Sequence, residues 1–178
     1  MKHFFSIVII VFSLFSVGCV KQISPTGMTV AVPASKITES LQREFPVRQK
    51  TAYGTVTLSD PKAFIQSGSD RLTAGATVHF SNPLIAEQTG SVYVSGKPRF
   101  DAKSGNIYLD APKIEKLNFN GYSLNTFITP EVMQQVQPYI DMLFQRIPVY
   151  RLDRNTLRGS FVKDVSVANG SLLVTFGI

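Results

Sequence analysis

The feature that most constrains the fold of this chain is a long stretch, beginning near residue 52, in which apolar and polar residues alternate. The clearest segment alternates Leu72, Ala74, Ala76, Val78 and Phe80 with Thr73, Gly75, Thr77 and His79. Because successive side chains of a strand point to opposite faces, this period of two predicts strands with one apolar and one polar face. Such strands are typical of an antiparallel sheet that packs on a core by one side only.

Further strands are predicted on both sides of this segment. Residues 52–58 alternate in the same way, as do residues 92–96 and 107–111, and the phase slips near Pro112, which predicts a bulge or bend. At the C-terminus, Asn169-Gly170 predicts a two-residue hairpin turn that pairs Val167 with Leu172 and Val165 with Val174.

Two helices are predicted. A short one opens at residues 33–35, after a strand over residues 28–32, and carries Ile37, Leu41 and Phe45 at a spacing of four. A long one starts at Thr129-Pro130 and runs to about residue 147, with Pro138 predicting a kink, and a short strand follows over residues 149–152. The long helix has a wide apolar stripe: Val132, Met133, Val136, Tyr139, Ile140, Leu143, Phe144 and Ile147.

The order of these elements predicts an α+β fold. Strands precede and follow the long helix without alternating one for one with helices, which excludes a parallel α/β fold. Since the apolar stripe is wider than one contact face requires, we expect a curled antiparallel sheet to wrap the long helix.

The N-terminus has the layout of a lipoprotein signal peptide. A basic start and an apolar run over residues 4–17 precede Cys19, the only cysteine in the chain. We expect cleavage after residue 18, lipid attachment to Cys19, a tether over residues 19–27 and a single domain over residues 28–178. Ser16 stands where Leu is usual in such signals, so the alternative is ordinary secretory cleavage and a free secreted protein.

Several short segments resemble the YceB-like lipoproteins, a bacterial family of undetermined function. They are residues 37–41, residues 97–101 followed by 105–109, residues 138–140 and residues 148–152. The resemblance covers nearly all of the mature chain, and it implies a fold similar to the TULIP group, in which a curled sheet wraps a long helix and several members hold a lipid between the two.

The predicted location restricts the possible partners. Val20 follows the cysteine in place of the Asp that favours inner-membrane retention, so we expect an outer-membrane anchor that faces the periplasm. Removal of residues 1–18 lowers the formal net charge from +6 by one. In the periplasm, nucleic acid is not the expected partner, and anionic phospholipid or peptidoglycan is the acidic neighbour, although the scattered basic residues also suit a solvated face.

The residues needed for common catalytic and metal sites are few. His79 is the only histidine of the mature chain and lies on the polar face of its strand, where a surface role is the simpler interpretation. One histidine without a free thiol does not make a zinc site. We therefore expect neither enzymatic activity nor a cofactor nor a metal.

Two functional hypotheses remain open. In the first, a lipid or other amphiphile binds between the long helix and the sheet, and its expected lining residues are Ile37, Leu41, Val78, Met133, Val136, Tyr139, Leu143 and Phe144. The same stripe also suits an ordinary packed core. In the second, the domain is an envelope scaffold or adaptor that binds a protein partner or peptidoglycan through its surface.

Overall fold

The computed structural model describes residues 20–24, 27–51, 54–119, 122–123, 130–152 and 161–177. For residues 20–24, 85–86, 122–123 and 130–136 it describes the backbone alone. The signal peptide and Cys19 lie outside the described residues.

Most of the described chain forms two antiparallel sheets. The larger sheet has the order β3-β4-β5-β6-β7-β8, and β9 also pairs with β7. Its strands are β3 (Val47–Thr51), β4 (Gly54–Phe64), β5 (Leu72–Asn82), β6 (Ile85–Asp101), β7 (Asn106–Phe119), β8 (Tyr122–Ser123) and β9 (Tyr150–Arg151). The predicted alternation is confirmed: on β5, Leu72, Ala74 and Val78 are buried, whereas Thr73 and Thr77 on the other face are partly exposed.

The smaller sheet has the order β1-β2-β11-β10. Its strands are β1 (Val20–Ser24), β2 (Gly27–Pro33), β10 (Phe161–Ala168) and β11 (Ser171–Gly177). The predicted hairpin is confirmed in its register, with Val167 opposite Leu172 and Val165 opposite Val174. Asn169 and Gly170 both have positive φ, at 52° and 70°, which the tight turn between right-twisted strands requires.

Part of the segment predicted to be a tether is a strand. Residues 20–24 form β1, which pairs with β2 over a register that includes Val20 opposite Val30. Sequence alone did not indicate this strand because its residues show no clear alternation. The first described residue, Val20, is therefore already part of a strand that pairs with β2.

The helix α1 (Ala34–Gln42) covers the apolar face of the larger sheet at β4. Ile37 and Leu41 are fully buried, as their spacing predicts, whereas Phe45 follows the helix. The Thr38 hydroxyl donates to the carbonyl of Ala34 and accepts a hydrogen bond of 2.9 Å from the amide of Ala63, which fixes the helix on the strand.

The predicted α+β class, in which a curled TULIP-like sheet wraps one long helix, is wrong. The described chain is mostly antiparallel sheet, and its two helices are short. The second helix, α2 (Pro130–Arg146), packs chiefly on β7, with Phe144 buried and Tyr139 56% exposed. The apolar stripe is wide, but one side of it docks on the sheet and the other carries an exposed ring.

A single apolar core joins the two sheets and both helices. It includes Val32 of β2, Ile37 and Leu41 of α1, Leu72 and Val94 of the larger sheet, Phe144 of α2, and Leu172 and Val174 of β11. The smaller sheet and the helices therefore occupy the apolar face of the larger sheet, and the polar face of that sheet points away from the core.

Candidate functional site

Four of the eight residues predicted to line an amphiphile site lie in the packed core or against it. Ile37, Leu41 and Phe144 belong to the core cluster, and Leu143 packs against it. Val78 is also buried, at 5% exposure, but it is not part of that cluster. Tyr139 is exposed, and the side chains of Met133 and Val136 lie outside the described residues. The structure thus brings four of these residues to one packed core.

The polar face of the larger sheet points away from the core and carries many of its hydroxyl side chains. We call it the outer face, and its hydroxyl and imidazole side chains are Thr55, Thr57, Ser59, Thr73, Thr77, His79, Ser81, Thr89 and Ser91. All of them are partly or fully exposed. Cations also lie on this face, among them Arg48 and Lys50 of β3, which pair with Thr57 and Thr55, Lys62 of β4, which pairs with Gly75, and Lys116 of β7, which pairs with Tyr93.

Two aromatic rings lie on the outer face and cover Gly75. The rings of Phe64 and Tyr93 are 5.9 Å apart between centroids and tilted by 47°. A Cβ on Gly75 would lie 2.9 Å from Tyr93 and 3.2 Å from Phe64, so the missing side chain lets both rings rest directly on the strand. Phe64 is nevertheless 44% exposed.

Two lysines flank these rings in one cross-strand row. Lys62, Gly75, Tyr93 and Lys116 are consecutive register partners across β4, β5, β6 and β7. Adjacent strands are about 4.8 Å apart, so the two lysine Cα atoms are separated by about 14 Å. Both lysines are exposed, and neither forms an ion pair with a residue in the described part of the chain.

A part-buried polar network holds the strands beside this row. The Arg71 guanidinium donates from Nε to Ser95 Oγ at 2.8 Å and from Nη2 to the carbonyl oxygens of Ser95 and Ala111 at 2.9 and 2.8 Å. Ser95 Oγ in turn donates to Glu115 Oε1 at 2.6 Å. The register of β6 and β7 shifts on both sides of Ser95, and Ala111 has a φ of 44°, so Arg71 binds carbonyls at the bulge that the phase slip near Pro112 predicted.

His79 occupies the outer face as the alternation predicts. Its Nδ1 lies 3.1 Å from Thr89 Oγ1 and 3.6 Å from Glu87 Oε1. Glu87 is well exposed, so this is a solvent-screened surface contact. Within the described ranges, no group of three or more His, Cys, Asp or Glu side chains is placed to hold a metal ion.

An open groove of about 300 Å³ lies where the two sheets meet. Its lining residues are Pro98 and Phe100 of β6 and Val162, Lys163, Asp164 and Val165 of β10. The register of β10 shifts between Val162 and Asp164, which turns Lys163 out of the regular ladder. Lys163 Nζ lies 5.9 Å from the ring centroid of the exposed Phe161, so the groove has both charged and apolar walls.

In the part of the chain that the structure describes, the pKa values of Asp70, Asp101 and Tyr150 are shifted, and these groups lie away from the outer-face row. The hydrogen bond and charge of Lys97 lower the pKa of Asp70, and the hydrogen bond from the Ser104 hydroxyl lowers the pKa of Asp101. Burial raises the pKa of Tyr150. Each of these shifts has a structural partner or burial as its cause, and none indicates an acid–base pair.

The aromatic residues of the outer face were not singled out from the sequence. The alternation over residues 92–96 places Val92 and Val94 on the inner face and so Tyr93 on the outer face. The sequence could therefore have identified Tyr93 as an outward aromatic residue. Phe64 was harder to place because β4 has a bulge between Ser59 and Lys62, where Asp60 has a φ of 49°. The Asp60-Pro61 pair is the sequence mark of that change in phase.

Comparison with known proteins gives a family without an assigned activity. No helix in the described segments has the length and apolar character needed to cross a bilayer. A search of curated proteins finds no match for the chain. Residues 32–170, which include the larger sheet, both helices and strand β10 of the smaller sheet, match the family model described as Protein of unknown function (DUF1439). The chain therefore belongs to the DUF1439 family of proteins of unknown function.

Proposed function

We propose that this protein is an outer-membrane lipoprotein that faces the periplasm and acts as a non-enzymatic adaptor, binding peptidoglycan through its outer face. The lipoprotein-like segment ending at Cys19 and the resemblance to the YceB-like lipoproteins support the anchor. Acyl chains on Cys19 would hold the domain at the membrane, since each buried methylene contributes about 0.8 kcal/mol.

The exposed aromatic and basic character of the outer face is the observation that carries this proposal. An antiparallel sheet with one solvated face usually presents scattered polar residues there. This face also presents Phe64 and Tyr93 on a glycine and cations that include Arg48, Lys50, Lys62 and Lys116, with Glu87 and Glu115 as nearby acids. A cationic, hydroxyl-rich and flat surface is complementary to an acidic polysaccharide.

The amphiphile hypothesis has lost its structural support. It required a sheet that wraps a long helix, whereas α2 docks chiefly on β7. Its expected lining residues Ile37, Leu41 and Phe144 instead fill the core. Lipid binding stays an untested prediction, and the open groove at β6 and β10 is too polar and too exposed to enclose an acyl chain.

Photo-crosslinking in intact cells tests the proposed function. A photoreactive amino acid replaces Thr77, at the centre of the outer face, and a control replaces Ser67, in the exposed turn between β4 and β5. We expect adducts from position 77 that a muramidase releases from the wall, and few from position 67. Adducts only with proteins, or equal adducts from both positions, would show that the outer face does not bind the wall.

The anchor has its own test. Mass spectrometry of the mature N-terminus is expected to show acyl chains on Cys19, and membrane fractionation is expected to place the protein with the outer membrane. A mature chain that begins at residue 19 without lipid would establish the secreted alternative.

A further inference from the structure

We infer that the cross-strand row of Lys62, Gly75, Tyr93 and Lys116, with Phe64 beside it, binds a sugar ring of the wall glycan together with a carboxylate of the stem peptide attached to it. This inference rests on the proposed function and assigns its binding contact to one part of the outer face. The ligand class is a wall glycan whose stem peptides carry carboxylates.

The aromatic pair supplies the apolar part of the contact. Sugar rings have an apolar C–H face that stacks on aromatic side chains, and Phe64 offers such a surface because it is 44% exposed. Tyr93 lies against it, and both rings are supported from below by the backbone at Gly75. Rings that rest on the strand form a shallow platform, which a linear polysaccharide can cross without entering a pocket.

The lysines supply the charged part. Lys62 and Lys116 lie one strand spacing outside Gly75 and Tyr93 in the same row, on opposite sides. A lysine side chain extends about 6 Å, so each ammonium group can reach a stem-peptide carboxylate beside a sugar stacked over the aromatic pair. Since neither lysine pairs with a described acid, an incoming carboxylate does not have to displace an existing ion pair.

The surroundings keep this row in place. Arg71, Ser95 and Glu115 form hydrogen bonds next to Tyr93 and fix the bulged segments of β6 and β7. Binding groups on a sheet stabilised in this way lose little conformational freedom when the ligand arrives. Hydroxyls of Thr73, Thr77 and Ser91 border the rings and can bond to sugar hydroxyls.

The test is co-sedimentation of the full mature chain with purified sacculi in detergent. The key variant is Lys62→Gln with Lys116→Gln, and its matched control is Lys36→Gln with Arg43→Gln, which removes the same charge from exposed positions in and just after α1, away from the outer face. A third variant, Phe64→Ala with Tyr93→Ala, removes the platform. Thermal unfolding of each variant shows whether it folds.

We expect the lysine and aromatic variants each to weaken binding about tenfold, as loss of one good contact would do, while the control binds nearly as the parent does. Amidation of the sacculus carboxyl groups is expected to remove the difference between the parent and the lysine variant.

Two outcomes separate the inference from the proposed function. If the parent binds sacculi and the lysine and control variants lose equal affinity or none, the proposed function stands and the row is not the site. If the parent does not bind sacculi at all, both are wrong. A parent that binds amidated sacculi unchanged would show that the ligand is not a carboxylate.

Discussion

Replacement of Arg71 by Ala is expected to destabilise the larger sheet more than removal of any other surface cation. The guanidinium makes three hydrogen bonds, two to Ser95 and one to the carbonyl of Ala111. Ser95 is only 4% exposed, so water does not readily replace the two bonds that it loses. The Ala111 contact is exposed, and water restores it.

The expected loss of stability follows from this difference between the buried Ser95 acceptors and the exposed Ala111 carbonyl. A net hydrogen bond to a charged group contributes about 1.5–3 kcal/mol, and a buried acceptor left without a donor costs about 1–3 kcal/mol. We therefore expect Arg71→Ala to lower the free energy of unfolding by about 2–4 kcal/mol, a large part of the stability of a small domain. Arg71→Lys is expected to recover less than half of the loss, because one ammonium group cannot reproduce the planar fork.

Urea unfolding of the full mature chain measures this effect, with Arg99→Ala as the control. Arg99 lies on β6, the strand of Ser95. Its guanidinium is 5.6 Å from the Tyr108 ring centroid, a surface contact worth about 0.5–1 kcal/mol. Hydrogen exchange of the Ser95 region should rise in the Arg71 variant. Equal losses for the two arginines, with unchanged exchange near Ser95, would refute the reasoning.

The remaining predictions concern packing, close backbone approach and acid stability. Phe144→Ala is expected to lower the free energy of unfolding, measured in urea, by about 3–5 kcal/mol, and Tyr139→Ala by less than about 0.5 kcal/mol, because only the Phe144 ring is buried. Similar losses for the two variants would show that α2 docks differently. Gly90→Ala is expected to give little folded protein on expression, since its Cβ would overlap the carbonyl of Asn118, and a normally folded variant would contradict the register of β6 and β7. Because the pKa values of Asp70 and Asp101 are lowered in the folded chain, the unfolded chain binds protons at a higher pH than the folded chain does. The melting temperature should therefore fall as the pH drops below the usual carboxyl pKa of 3.8, and it should fall less in the Asp70→Asn variant.

The strands were predictable because their signal is local. The alternation on β5 and the Asn169-Gly170 turn depend on residues next to one another, and both are confirmed. The pairing of β1 with β2 was not predictable, because residues 20–24 gain their partner only through the fold.

The packing of α2, the helix expected to be long, could not be predicted from the sequence for a related reason. Its apolar stripe shows that several residues can be buried, but it does not show which of them the sheet covers. Phe144 is buried whereas Tyr139 is exposed, although both belong to the predicted stripe. The wrapped-helix prediction treated the whole stripe as buried, and this is where it failed.

The outer-face site depends both on local alternation, which the sequence shows, and on strand pairing, which only the fold shows. The outward position of Tyr93 follows from the alternation, but its meeting with Phe64 depends on the bulge at Asp60-Pro61 and on the pairing of β4 with β5. Lys62 and Lys116 are 54 residues apart in the chain and enter one row only because four strands are in register.

Amide chemical-shift mapping tests the central claim, that the outer face binds the wall, most directly. The isotope-labelled mature chain is titrated with a soluble glycan fragment released from sacculi by a muramidase. The proposal predicts saturable shifts at Lys62, Phe64, Gly75, Tyr93 and Lys116, with the groove residues Pro98, Phe100 and Val162–Val165 unchanged wherever they have an amide. Shifts confined to the groove, or no shifts at millimolar fragment, would contradict the proposal.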